Sequence, residues 1–171
     1  MRCKNLSLML LLLFSVPALA QPQVYNFKEL QRFLPEGDFG KYKRGEPTGE
    51  TSSMMGFATS WAQVIYRAET DTSKIATSIK ITDMVSIPSY MYIGSDVDKK
   101  TETGYEKTVL YKGIRVLETF DSTSKEGKLQ LPVANRFLVE VTGSGVMNAA
   151  PLYDLLDRLD LKALEKLGQK S

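Results

Sequence analysis

Phe27, Leu30, Phe33 and Leu34 recur at helical spacing behind Asn26, whose side chain can cap a helix, and Pro35 closes the run. That spacing predicts a helix over 26–34. The following stretch, PEGDFGKYKRGEPTGE, is rich in glycine, proline and charge and reads as an irregular connection. From Ser52 the period falls to two. In MGFATSWAQVIYRAE, Ala62, Val64 and Tyr66 share one parity and Phe57, Trp61 and Ile65 the other. Neither parity is cleanly polar, which predicts a central strand covered on both faces. KIATSIKIT sets Ile75, Ile79 and Ile81 against Ala76, Ser78, Lys80 and Thr82, the pattern of a half-buried strand.

Two hairpins follow. With Lys112-Gly113 as a two-residue turn, Tyr111 faces Ile114, Val109 faces Val116, Lys107 faces Glu118 and Tyr105 faces Phe120. The register places opposite charges across from one another, a pairing worth roughly 0.2–1 kcal/mol. In the second hairpin Leu129, Leu131 and Val133 must meet Phe137, Val139 and Val141. A two-residue turn would put these sets on opposite faces, so a three-residue loop, Ala134 to Arg136, is expected. Pro132 cannot donate to a ladder and predicts an edge position for its strand. At the C-terminus Asn148 and Asp160 are expected caps, Leu152, Leu155, Leu156 and Leu159 form a helical stripe, and Gly168 is the expected stop.

The first twenty residues change the picture. Arg2 and Lys4 precede LSLMLLLLFSVPALA, which ends in Ala18-Leu19-Ala20. A basic start, an apolar run and small residues at its end predict a secretory signal peptide over 1–20, cleaved after Ala20. The rival reading, a membrane anchor, needs about 20 apolar residues, more than this run supplies. The expected product is a single domain over 21–171, periplasmic or secreted, with no stable membrane anchor. Arg2 and Lys4 belong to the 22 basic residues, against 20 acidic ones, none of them in the signal, so the mature chain is neutral. A nucleic-acid partner, which wants a basic face, is not expected.

Cleavage also removes Cys3, the single cysteine, and the chain contains no histidine. Thiol chemistry, histidine-activated nucleophiles and zinc or copper sites built on these residues are excluded. Gly143 and Gly145 stand between a strand and a helix, as in a dinucleotide-binding turn, but Asn148 occupies the place of the third glycine. The helix leads to no further strand, so the pair reads as a hinge of the fold. Asp96, Asp98 and Glu102 suggest a calcium loop, yet Lys100 and Thr101 stand where an oxygen ligand and a glycine belong. No residue is singled out as catalytic, cofactor-binding or metal-ligating. The candidate binding surface is the apolar segment Met84–Gly94, with Ile87, Tyr90, Met91, Tyr92 and Ile93 as its contact residues. Glu118, Asp121 and Glu140 leave open a metal-independent hydrolase built on carboxylates, provided two of them face each other at roughly 5–9 Å.

The segments FLPEGDFGKYKR, GYEKTVLYKGIRVLETFD and VANRFLVEVTGSGV resemble an uncharacterised family of small exported bacterial proteins. More loosely, the order of elements is similar to the PsbP/Mog1-like fold, an antiparallel sheet packed between helices. That resemblance implies a non-catalytic accessory protein that docks on a larger assembly, and it assigns no functional residue. The expectation is therefore an α+β domain with an antiparallel sheet of five or six strands flanked by N- and C-terminal helices. Its expected function is that of an exported binding module for a protein partner or an apolar ligand, without a cofactor.

Overall fold

A computed structural model describes residues 23–54, 57–68, 75–85 and 95–170. Nine strands form one antiparallel sheet: β1 (Tyr42–Arg44), β2 (Thr48–Met54), β3 (Phe57–Ala68), β4 (Ala76–Asp83), β5 (Asp98–Lys100), β6 (Gly104–Tyr111), β7 (Ile114–Asp121), β8 (Glu126–Val133) and β9 (Phe137–Ser144). Their order is β1-β3-β4-β9-β8-β7-β6-β5, with β2 also paired to β3. Three short helices, α1 (Phe27–Gln31), α2 (Ala150–Leu156) and α3 (Leu161–Gly168), complete the described elements. The architecture is dominated by the sheet. The expectation of an α+β domain with five or six strands is corrected by nine strands and by helices of only five, seven and eight residues.

The six strands legible as apolar alternation are β3, β4, β6, β7, β8 and β9. The additional three lie at the margins. β1 and β2 follow one another along the same flank of β3, the first opposite 66–68 and the second opposite 57–63. Gly45-Glu46-Pro47 separates them, and the Gly45 N–H still donates to the Ile65 carbonyl at 2.7 Å. All of β5 and nearly all of β2 are exposed. A margin strand whose side chains remain in water needs no apolar alternation, so these segments carry the composition of loops.

Both hairpin registers are observed as read. The first pairs Tyr111, Val109, Lys107 and Tyr105 with Ile114, Val116, Glu118 and Phe120. Lys112 and Gly113 take φ of 50° and 82°, the left-handed pair of a two-residue turn. In the second, Val133 pairs with Phe137 and Leu131 with Val139, across a loop in which Ala134 and Asn135 have positive φ. The edge position expected from Pro132 is corrected, because β8 lies between β9 and β7. Its ladder to β7 ends at the Leu117–Gln130 pair, so Pro132 lies beyond that end and its missing N–H breaks no bond to β7.

Side chains alternate between two faces. On one, Val64, Ile79, Val141 and Leu129 run across four strands in register and lie in the core with the buried leucines of α2. Gly127 and Gly143, paired on adjacent strands, open a notch for Leu152. A Cβ at Gly143 would stand 2.7 Å from Leu152 Cδ2, and one at Gly127 would stand 2.9 Å from its Cδ1. Gly145 turns the chain with φ of 70°. The Gly143-x-Gly145 motif is thus a packing and turning device. Asn26 and Glu29 form a capping box on α1, and Asp160 accepts from Ala163 N–H at 2.9 Å on α3. Asn148 accepts from Ala150 N–H, one position before the assigned cap Ala149. α3 ends at Gly168, as expected, and a Cβ there would lie 2.5 Å from that of Ala134.

Candidate functional site

The second face of the sheet has no described helix on it. The double coverage expected for β3 is corrected: Phe57 is 61% exposed, and Trp61 is covered only partly, with Lys80 Nζ 5.1 Å from its ring centre. Across the upper half of this face the sheet cups a cavity of about 740 Å³. Its floor follows two registered rows. Ile65, Ser78, Thr142, Lys128 and Thr119 form one, and Arg67, Ala76, Ser144, Glu126 and Asp121 form the other. Small residues on β4 and β9 line its centre, where Ser78 Oγ lies 2.9 Å from Thr142 Oγ1.

Charge is unevenly spread over that floor. Lys128 is paired with Glu140 at 3.1 Å. Arg67, at the β3 end, is exposed and makes no ion pair among the described residues. At the opposite end Asp121 and Glu126 are direct cross-strand partners, a like-charge pairing that costs stability. No described cation is paired with either. The Ser124 and Thr123 N–H groups donate to Asp121 Oδ1 at 2.9 and 2.8 Å and hold its carboxyl below the usual carboxylate range.

Glu118 lies on the covered face, in the same row as Leu129 and Val141, and is 5% exposed. Tyr105 and Tyr153 donate their hydroxyls to its two carboxylate oxygens at 2.5 and 2.6 Å, and Lys107 Nζ stands 3.4 Å away. Burial, and then the bond to Glu118, push the Tyr105 hydroxyl up to about 12 and raise that of Tyr153 as well. Sequence alternation found the Lys107–Glu118 pair. It missed Tyr153, since nothing in a leucine-rich helix shows which neighbour reaches a carboxylate 35 residues earlier.

A second buried ion pair was missed entirely. Arg136 grips Asp83 with two nitrogens at 3.0 and 2.8 Å, and both side chains are sealed, at 5% and 0% exposure. The Tyr25 N–H also donates to Asp83, and Arg136 to the Gln23 carbonyl. Arg136 looked like a loop residue. Its burial follows from the three-residue turn, which points it back under the sheet end.

The three carboxylates considered for hydrolysis are divided between faces. Glu118 is under α2, whereas Asp121 and Glu140 belong to the open face. Asp96 is tied to Arg115 at 2.6 Å and Asp98 opens β5, opposite Lys107. Among the described residues no group of three acidic side chains is arranged to hold a metal, and no helix is long and apolar enough to cross a membrane. Ile87, Tyr90, Met91, Tyr92 and Ile93 lie outside the described residues. Their flanks do not: Met84 packs on Leu138 and Leu117, and Val97 exchanges bonds with Thr108, all on the lower half of the open face. No protein-family model, curated protein or solved structure matches the chain.

Proposed function

We propose that the protein is a non-catalytic exported binding module that holds a segment of polypeptide on its open sheet face. The observation that carries this reading is the cavity of about 740 Å³ on a face with no helix among the described residues, within the usual size of binding clefts. Charges at its two ends, unpaired among the described residues, suit a charged polypeptide segment better than an uncharged ligand. The accessory role implied by the PsbP/Mog1-like resemblance points the same way. A photoreactive phenylalanine analogue at Thr142, on the cavity floor, should give a covalent adduct in the native envelope. The same probe at Lys162, on the exposed side of α3, should give none. Equal labelling at both positions, or none at either, contradicts the reading.

One observation favours the alternative of a carboxylate hydrolase: Asp121 and Glu126 face each other at the cavity's end. Retaining glycosidase chemistry needs a carboxylic acid with a raised pKa as proton donor. Asp121 is lowered instead, and Glu126 stands in water. The geometry supports charge recognition over proton transfer.

A further inference from the structure

We infer that the open cavity takes a short peptide with both ends free, its amino terminus on Asp121 and Glu126 and its carboxylate on Arg67. The inference rests on the binding reading above and names the ligand class. Arg67, Ala76, Ser144, Glu126 and Asp121 occupy one registered row over β3, β4, β9, β8 and β7. Arg67 and Glu126 are therefore three strand spacings apart, roughly 14 Å. An extended chain covers that span in about four residues.

The charge layout gives the direction. A protonated amine relieves the repulsion between Asp121 and Glu126, and it is the one end of a neutral peptide that can do so. The planar guanidinium of Arg67 matches a terminal carboxylate with two parallel N–H bonds. Between the ends, the Ser78 and Thr142 hydroxyls bond each other and that of Ser144 bonds the Ala76 backbone, so they offer a peptide backbone only their remaining acceptor capacity. The small side chains of Ala76 and Ser144 leave room for the chain to lie across the strands. Length and free ends are the specificity expected.

Titration calorimetry of the exported protein with di-alanine through hexa-alanine tests this. Affinity should peak near tetra-alanine, and acetylating its amine or amidating its carboxylate should each weaken binding by about tenfold or more. Arg67→Gln should abolish the preference for a free carboxylate alone. Asp121→Asn with Glu126→Gln should abolish the preference for a free amine alone. Urea midpoints of these exposed-site variants confirm that the fold is intact. No saturable heat with any of the peptides, or blocked and free tetra-alanine binding within about twofold, overturns the inference. If the Thr142 adduct still forms while free peptides fail to bind, this ligand class is wrong and the binding face stands. Loss of both removes both.

Discussion

The two faces of the central strands are built from the same backbone and do opposite things. On β8, Leu129, Leu131 and Val133 are buried in the core, while Lys128 and Gln130 remain partly in water on the other side. The covered face pairs its buried carboxylates internally: Glu118 meets two tyrosines and a lysine, and Asp83 an arginine and two backbone N–H groups. On the open face Arg67, Asp121 and Glu126 have no ion-pair partner among the described residues. One side secures the fold, and the other is the proposed ligand face.

The sharpest way to break this contrast is to orphan a charge on the covered side. Arg136→Ala leaves Asp83 buried and unpaired, and urea unfolding should show a loss of about 3–5 kcal/mol. Removing both partners together should cost less than Arg136→Ala alone. Next in size, Leu131→Ala should cost about 2–5 kcal/mol. Its neighbour on the opposite parity, Gln130→Thr, should stay within about 0.5 kcal/mol.

A pH series sharpens the comparison further. The Tyr105 hydroxyl is pushed up to about 12, above its ordinary value of 10.0, because burial and then the bond to Glu118 favour its neutral form. Its contribution is complete below pH 10.0 and is lost as pH rises through about 12. The stability difference between the parent and Tyr105→Phe should therefore shrink over that interval. A difference that stays constant across it would show that the Tyr105 hydroxyl is not held by Glu118.

How much of this was legible in the sequence depends on whether burial enforces a pattern. β4 and β6 to β9 alternate because one face must exclude water, and their pairings followed from which residues had to meet. β1, β2 and β5 exclude nothing and look like loops, which is why the sheet was expected to be narrower. Lys107 and Glu118 could be matched because a turn sets their register. Asp83 and Arg136 could not, since their meeting depends on a crossover of the whole sheet, 53 residues apart. The open face was half legible: Ser78 and Lys80 marked a polar parity on β4, but only the strand order joins them to Thr142, Lys128 and Asp121. The segment chosen from sequence as a binding surface was chosen for composition. The floor that the fold builds instead mixes small, charged and apolar residues from several strands, which composition does not mark.

The most direct test that the open face is dispensable to the fold is a combined change to its floor. A triple variant, Thr119→Val, Lys128→Gln and Thr142→Val, changes three floor positions on adjacent strands while retaining strand-forming residues at 119 and 142. Its equilibrium unfolding in urea should lie within about 1 kcal/mol of the parent, as expected for surface changes. A loss of about 2 kcal/mol or more, comparable with Leu131→Ala, would show that this face also secures the fold.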